Sequence, residues 1–508
     1  MSKRKFSNLT NPSSWFNVLY REITCRISED IFEDLFSKYG RPNASIRILI
    51  GMSVIKEGFG WSDRQLFEQC EFNLGVMRAL GLQNLNDEIP VLSTYYDFNR
   101  KLQEYEKEHD IDLLDLCFKT ITKEQVKYYD VCGQRVRMDS KLIKTNIANC
   151  TRVQLVAGVI KKFLASLGKN HKVRLTKSYD LELLAELRSK TPENITYHLD
   201  KEEQVKLFSR LGYLLKKLVS LYSQKDSDYY TSLARCYQDQ YEDTDGGDDD
   251  DPVIEPVKKV DSGSLQSPHD REAAYREKGH GRAKKKVKGL HVSIAESCGS
   301  GLNLILSART DKANVGEYEF LEQAIKDVSC ISKPPREVWT DGGYDSLYNR
   351  IRMSTWGVNT WHLSKTKGSK LTYQFRIDGD QLHILDLVTG KEHQATKTKA
   401  GKWRIPNERK NTNYKYWTQK EIDSYLALNG LRPDPKQEYP NLRPSVESSI
   451  HEVFHRLDGG KSRYRGLARN KMSVKYTVLW VNQRRIGRFV CPIDKFGDEI
   501  TENRVKRA

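Results

Sequence analysis

Three acidic residues, Asp139, Asp341 and Glu447, have the types and local contexts to do chemistry together. Asp139 follows the alternating residues 135–138, and Asp341 follows residues 337–340, which also form a strand-like run. Alternation of apolar and polar residues is typical of strands. Glu447 falls in the first turn of a helix that a proline is expected to open, beside an apolar stripe. We therefore predict two carboxylates at strand ends and a third on a helix.

A cluster of three carboxylates would have a specific chemical use. Carboxylates at close range repel one another and raise each other's pKa, so they stay ionised only if cations neutralise them. Sites built from oxygen ligands favour Mg²⁺ or Mn²⁺. Two such ions, about 3.5 to 4 Å apart, can activate a water or a 3′-hydroxyl on one side of a phosphodiester and stabilise the leaving oxygen on the other. We predict two Mg²⁺ (or Mn²⁺) ions per site and no organic cofactor.

Each acid also has a simpler interpretation. Asp139 could end a strand at a turn, and Asp341, within Thr-Asp-Gly-Gly-Tyr, could be the first residue of a β-turn. Glu447 could only stabilise the helix dipole, and Glu452 in the same helix is an alternative third acid. We prefer Glu447 because it directly follows the proline-opened turn.

The net charge favours a polyanionic partner. The 508 residues include 84 Lys and Arg against 68 Asp and Glu, a formal charge of +16, which promotes encounter with nucleic acid. Five cations in residues 282–288 are predicted to track DNA at the rim of the acidic site, through Lys284, Lys285 and Lys286; a solvated loop is the alternative. Seven acids within 242–251 predict a disordered loop, with a DNA-mimicking, self-inhibitory role as the alternative.

Other protein classes are disfavoured by the composition. The nine cysteines are scattered and contain no Cys-x-x-Cys pair, which indicates reduced thiols rather than disulfides or zinc. The longest apolar stretch is far shorter than the roughly 20 residues of a membrane helix, and no apolar leader follows the charged start. We expect a cytoplasmic, nucleoid-associated protein without a membrane partner.

The order of the predicted elements indicates the fold class. The predicted order is a strand, a hairpin (291–295 and 302–307), a helix, two strands and a helix. This is the order of elements in an RNase H-like domain. We predict an α/β fold with an RNase H-like mixed-sheet catalytic domain, carrying helical and β insertions and preceded by an all-α N-terminal domain. We predict the following domain boundaries. Residues 1–128 form a helical DNA-binding domain, and residues 129–150 and 266–366 form two parts of the catalytic domain. Residues 151–265 form a helical insertion with the acidic loop, residues 367–412 a β insertion, and residues 413–508 the catalytic helix and a basic tail.

The N-terminal helices offer a candidate recognition element. Ser62 is predicted to cap one helix, and residues 93–102 form a second that carries Arg100 and Lys101. A polar helix after a helix and turn suits insertion into a DNA groove. The alternative is a polar face that only meets water.

Several stretches resemble the DDE transposases of bacterial insertion sequences that have a helical N-terminal domain. They span roughly residues 30 to 470 in the family's order, which makes the match more specific than any one motif. The segments that carry it are Pro90–Tyr95, Phe98–Leu102, Arg137–Ala148, Ser267–Asp270, Ala274–Lys278, Thr340–Ser346, Arg443–Glu447 and Arg463–Gly466.

The resemblance implies roles for particular residues. Asp139, Asp341 and Glu447 would be the metal-binding triad, and Arg443 and Tyr439 would contact phosphates of the transposon end. Three residues rather than two separate Tyr439 from Arg443, and Phe454 stands where the family signature has a lysine. We also expect Arg463 and Arg465 to bind DNA.

The implied function is a transposase that recognises terminal inverted repeats, cleaves a strand and joins the freed 3′-hydroxyl to target DNA. It would act on double-stranded DNA as a homodimer. The alternatives are a domesticated DNA-binding protein without catalysis and an RNase H-like nuclease for branched DNA. The presence of Asp139, Asp341 and Glu447 argues against a DNA-binding protein without catalysis. Strand transfer would distinguish a transposase from a nuclease, which lacks that reaction.

Overall fold

The computed structural model describes residues 9–36, 44–82, 84, 87–167, 180–244, 253–279, 284–364, 372–407, 413–434 and 436–490. The acidic residues 245–251, the cations before Lys284 and residues 491–508 lie outside these ranges. No helix in the described ranges is long and apolar enough to cross a membrane.

The N-terminal region is helical, as predicted. Its α-helices are α1 (Trp15–Glu22), α2 (Ile46–Phe59), α3 (Asp63–Phe72), α4 (Leu74–Leu80), α5 (Leu92–His109) and α6 (Leu113–Tyr128). Ser62 caps α3 in a reciprocal capping box with Gln65, so the predicted cap is confirmed. The predicted second helix is also present, as α5.

A long helical insertion follows the first strand of the catalytic sheet, β1 (Arg135–Lys144). It contains α7 (Arg152–Ser166), α8 (Leu181–Ser189), α9 (Pro192–Thr196), α10 (Lys201–Leu221), α11 (Asp228–Gln240) and the hairpin of β2 (Tyr241–Thr244) and β3 (Val253–Pro256). These elements bury a hydrophobic cluster of their own. Val205 of α10 is 64% exposed, because α10 packs through other apolar side chains such as Leu211 and Leu215.

The central sheet is mixed. After the insertion come β4 (Ala274–Lys278), β5 (Lys285–Ser297), β6 (Ile305–Lys312), helix α12 (Phe320–Ile331), β7 (Glu337–Thr340), helix α13 (Leu347–Arg352) and β8 (Thr360–Leu363). β6, β5 and β1 pair antiparallel, whereas β1, β7 and β8 pair parallel. β4 extends the sheet along the first residues of β5. This is the predicted mixed-sheet α/β fold.

The predicted β insertion extends further than expected. It contains β9 (Tyr373–Asp378), β10 (Gln381–Asp386), β11 (Glu392–Gln394), β12 (Thr396–Lys397), β13 (Trp403–Pro406), β14 (Tyr414–Trp417) and helix α14 (Gln419–Gly430). The predicted end at residue 412 falls between β13 and β14, which pair with each other. Trp417 and Ile422 share one core with Phe375, so the unit continues into α14.

Two helices complete the described chain, α15 (Pro444–Phe454) and α16 (Leu467–Val490). The sequence assigned the region after α15 to a basic tail, but half of the 24 residues of α16 are buried. Its Trp480 packs against Phe59 and Trp15 of the N-terminal helices. The N-terminal helices and the catalytic sheet therefore share one hydrophobic core.

Candidate active site

Asp139 and Asp341 lie at matching positions of two parallel strands. Arg137 of β1 is in register with Trp339 of β7, and each aspartate lies two residues further along. The Ser140 N–H donates to Asp139 Oδ1 at 2.8 Å, and the Gly343 N–H donates to Asp341 Oδ1 at 2.9 Å. The strand pairing therefore carries both carboxylates to the same edge of the sheet.

The predicted position of Asp139 at a strand end is wrong in one respect. β1 continues to Lys144, because β5 pairs with it as far as Gly289. The parallel pairing with β7 nevertheless ends at Arg137. Asp139 thus lies just past the end of the parallel ladder, within a continuous antiparallel one.

Arg443 links all three predicted acids. Its Nη2 lies 3.7 Å from Asp139 Oδ1 and 3.7 Å from Asp341 Oδ2, and its Nη1 donates to Glu447 Oε1 at 3.1 Å. The Glu447 side chain is 61% exposed, compared with 14% for Asp139 and 30% for Asp341. The structure therefore brings Asp139, Asp341, Glu447 and Arg443 together at the opening of α15.

Arg443 also has an unused donor. Its Nε is buried and has no hydrogen-bond partner in the described part of the chain. A buried donor without a partner is costly, so such a group is usually satisfied by water, an ion or a ligand. The guanidinium is therefore placed to take an additional anionic oxygen beside the carboxylates.

The electrostatics of the two aspartates agree with a crowded acidic site. Burial raises the pKa of the Asp139 carboxyl, and the charges of Asp341 and Glu317 raise it further, while Arg443 opposes them. Burial likewise raises the pKa of Asp341, with Glu317 as the next cause. Burial first, and the neighbouring carboxylates second, therefore disfavour the ionised form of both aspartates.

Glu317 is a fourth acid that the sequence reasoning missed. It lies in a short 3-10 turn between β6 and α12, with only 9% of its side chain exposed. Its Oε1 accepts a hydrogen bond from Ser140 Oγ at 3.0 Å. A Cβ on Gly343 would overlap its carboxylate, so the second glycine after Asp341 is needed for this close approach. That Gly-Gly pair was the available signal, although it was interpreted only as a turn.

A buried charge network fixes α15 against the sheet, and the sequence reasoning missed it too. Glu296 of β5 is fully buried and accepts hydrogen bonds from Arg137, from Ser449 at 2.6 Å and from Arg485 at 2.8 Å. Arg137 also donates to the carbonyl of Leu442 at 3.2 Å. The turn that carries Arg443 and Glu447 is thereby tied to β1 and β5.

Glu452, the alternative third acid, has other partners. Its carboxylate pairs with Arg485 at 3.0 Å and with Arg488 at 2.7 Å, both on α16. Both arginines lie on the helix behind α15, so Glu452 supports α15, whereas Glu447 faces Arg443.

The residue in the position of the family's lysine, Phe454, has a cation above it. Lys141 of β1 places Nζ 5.4 Å from the centre of the Phe454 ring. Burial lowers the pKa of Lys141. A cation thus reaches this part of the site from β1 rather than from α15.

Tyr439 lies beside the acids in an aromatic cleft. Its ring lies 4.8 Å from His362, which stacks on Trp339 at 4.2 Å. These residues line a cleft of about 580 Å³ that also includes Gly342, next to Asp341. Tyr439 is therefore near the site but does not contact the carboxylates.

The other predicted DNA contacts lie away from the acids. Arg100 pairs with Asp97 and Glu104 on α5, and Lys101 with Asp97. Arg463 lies 3.6 Å from Glu57, and Arg465 donates to the carbonyl of Asn146 at 2.7 Å. In the described residues none of these four side chains pairs with Asp139, Asp341 or Glu447.

The alternative interpretation of the cationic run 282–288 as a solvated loop is wrong for part of its length. Lys285 and Lys286 belong to β5 itself, where they face Lys278 and Glu277 of β4. Lys284, just before the strand, pairs with Glu277. The alternation that identifies a strand is hidden here because this end of β5 is exposed and lysine-rich.

The donor set has the chemistry of a divalent-cation site, but not its spacing in this structure. In the described ranges no three His, Cys, Asp or Glu side chains are arranged closely enough to hold a metal ion, and Arg443 stands between the carboxylates. Carboxylate oxygens are the ligands that Mg²⁺ and Mn²⁺ prefer. Burial and the neighbouring carboxylates raise the pKa of both aspartates, and a bound cation would favour their ionised form.

Family models match two parts of the chain. A transposase domain model (DUF772) matches residues 16–101, and a transposase DDE domain model matches residues 255–479. The chain belongs to the insertion-sequence DDE transposases. The DDE match includes Asp341, Arg443 and Glu447, whereas Asp139 precedes it, separated by the helical insertion. No curated protein and no solved structure gives a significant match to this transposase.

Proposed function

We propose that this transposase binds terminal inverted repeats and catalyses metal-dependent strand cleavage and strand transfer. The observation that carries the proposal is the convergence of Asp139, Asp341 and Glu447 on Arg443. The three acids come from two parallel strands and one helix, far apart in sequence. Such convergence is what phosphodiester chemistry needs from carboxylates.

The three carboxylates are the proposed ligands of Mg²⁺ or Mn²⁺, two ions per site. When bound, such ions supply an activated oxygen nucleophile and stabilisation of the leaving oxygen. Asp139 and Asp341 are held by backbone N–H donors on paired strands, so they form the rigid side of the site. Glu447 is exposed, so it forms the side open to DNA.

Arg443 and Tyr439 are the proposed contacts to the DNA backbone near the cleaved bond. The partnerless Nε of Arg443 is available to a phosphate oxygen, and arginine suits phosphate because its planar fork offers parallel donors. Phosphate contacts of this kind position the strand without reading its sequence.

End recognition is proposed for the N-terminal helices, with Arg100 and Lys101 of α5 among the contacts. Arg463 and Arg465 are proposed to hold the DNA backbone. The partner is double-stranded DNA, engaged as a homodimer. Because the N-terminal helices share a core with α16, the full chain is the unit in which binding should be measured.

Strand transfer is the reaction that tests the proposal. Full-length protein, labelled DNA carrying the insertion-sequence end, Mg²⁺ and a plasmid target should yield labelled joint molecules. Nicked end DNA without joining would favour the nuclease alternative, and specific binding without nicking would favour the non-catalytic one. Either result would contradict the proposal.

Substitutions in the acids provide the matched controls. Three conservative substitutions are Asp139→Asn, Asp341→Asn and Glu447→Gln. Each should abolish cleavage and strand transfer while DNA binding persists, because each removes the charge of a metal ligand and not a DNA contact. Glu452→Gln should remain active, since Glu452 faces α16. Inactivity of Glu452→Gln with activity of Glu447→Gln would overturn the assignment of the third acid.

A further inference from the structure

A second cleft lies where the helical insertion meets the catalytic sheet. It has a volume of about 680 Å³ and is lined by α7 and α11, the turn 268–272, the end of β6 and residues 465–469. Six cationic side chains line it, against three carboxylates. The cations are Lys162, Arg235, Arg271, Lys312, Arg465 and Arg469.

The three carboxylates of this cleft are already engaged. Asp228 pairs with Arg271 at 2.8 Å. Asp270 accepts the N–H groups of Ala273 at 3.0 Å and Gly466 at 3.0 Å. Glu272 accepts the N–H of Leu467. Asp270 and Glu272 hold the turn against the start of α16, and the three carboxylates offset half of the six cationic charges.

Four of the cations have no carboxylate partner. Within the described residues Lys162, Lys312, Arg465 and Arg469 form no ion pair; Lys162 and Arg465 donate instead to the carbonyls of Pro268 and Asn146. Burial lowers the pKa of Lys162, and the charges of Arg271 and Arg465 lower it further. The same crowding acts on His269, whose pKa is lowered by burial, Lys162 and Arg465. The cleft is thus a concentration of positive charge that an anion would relieve.

We propose that this cleft, between the helical insertion and the catalytic sheet, binds the sugar-phosphate backbone of double-stranded DNA. Two walls of cations about a cleft, with an exposed Tyr229 on one wall, suit a continuous polyanion. The insertion is therefore part of the DNA-binding surface of the transposase. This inference rests on the proposed function and adds a contact remote from the acids.

The geometry allows the same duplex to reach both places. β1 carries the chain from Asp139 to Lys144, and Asn146, which accepts from Arg465, lies just beyond. At about 3.3 Å per residue, the distance along the strand from Asp139 to Asn146 is roughly 20 Å. This corresponds to about six base pairs of DNA at about 3.4 Å each. Lys and Arg in this cleft would position DNA and not read bases.

The test is the salt dependence of DNA binding by the full-length protein. The triple variant Lys162→Gln, Lys312→Gln, Arg469→Gln is compared with wild type on a duplex of about 40 base pairs. Each lost phosphate contact should lower the slope of log K against log salt by about 0.9, so the triple should lose about 2.7. A control triple on the remote faces of the insertion, Lys190→Gln, Lys201→Gln, Lys206→Gln, should keep the wild-type slope.

Two further measurements keep the test decisive. The single variant Lys312→Gln, whose side chain makes no hydrogen bond in the described structure, should lose about 0.9 even if the triple variant does not fold. In wild-type protein, DNA should protect Lys162 and Lys312 from acetylation, but not Lys201. Wild-type slopes in both variants, with strand transfer intact in wild type, would overturn the cleft and leave the proposed function standing. Failure of wild type to bind DNA would overturn both.

Discussion

Arg443 is expected to compete with the metal ion for the three carboxylates. Its guanidinium lies between Asp139, Asp341 and Glu447 at 3.7, 3.7 and 3.1 Å. A metal bound by these acids must displace it. A partly exposed ion pair is worth roughly 0.2 to 1 kcal/mol, so displacing one guanidinium from three carboxylates should cost about 0.6 to 3 kcal/mol.

The substitution Arg443→Gln should therefore tighten Mn²⁺ binding in the absence of DNA by about 3- to 140-fold, at about 1.4 kcal/mol per tenfold. Electron paramagnetic resonance of free Mn²⁺, at low salt and near pH 8, measures this affinity. Arg443→Lys keeps the charge and should bind Mn²⁺ more like the wild type. DNA cleavage should fall in Arg443→Gln, because a phosphate contact is lost. Unchanged or weaker Mn²⁺ binding by folded Arg443→Gln would refute the competition.

Three further outcomes follow from the same geometry. Glu317→Gln should shift Mn²⁺ binding to lower pH, because the Glu317 charge raises the pKa of Asp341 and its removal lets Asp341 ionise earlier; an unshifted pH midpoint would contradict this. Glu296→Ala should cost about 3 to 5 kcal/mol of unfolding free energy in urea denaturation, because it leaves the buried Arg137 without a carboxylate and removes one of the two carboxylates that pair with Arg485; a loss below about 1 kcal/mol would contradict it. Alanine substitution of Lys284, Lys285 and Lys286, at the start of β5, should lower the slope of log K for DNA binding against log salt by about 0.9 per lost contact. An unchanged slope would mean that these lysines do not contact DNA.

The elements of the site followed from local patterns. Residues 337–340 form a strand that ends at Asp341, and the proline-opened helix carries Glu447 in its first turn, as predicted. Such features depend on near neighbours in sequence, which periodicity and helix-opening residues report well. The fold class was also predicted correctly, because the order of strands and helices is itself encoded along the chain.

Features that depend on distant partners were not predictable in the same way. Asp139 looked like a strand end because nothing local shows that β5 pairs with β1 to its last residue. Glu317 lies in a short turn, and only the folded sheet brings it beside Gly343. The first residues of β5 were not predicted as a strand, because the side chains of Lys285 and Lys286 are exposed and the sequence there shows no alternation of apolar and polar residues. The buried character of α16 likewise arises from the N-terminal helices that cover it.

A charge of +16 indicated an anionic partner but gave no location for it. The structure locates uncompensated cations between the insertion and the sheet, where Lys162 and Arg465 come from segments about 300 residues apart. The sequence could not show that these two cations lie in one cleft, because the turn 268–272 brings them together by packing against the start of α16.

The central claim is that Asp139, Asp341 and Glu447 together hold the metal ions. The most direct measurement is anomalous diffraction from a crystal of the transposase bound to end DNA and Mn²⁺. We predict anomalous peaks in contact with Asp139 and Asp341, with Glu447 beside them and Arg443 moved from between the acids onto a DNA phosphate. A peak elsewhere, or Arg443 still bridging the three carboxylates in the Mn²⁺ complex, would contradict it.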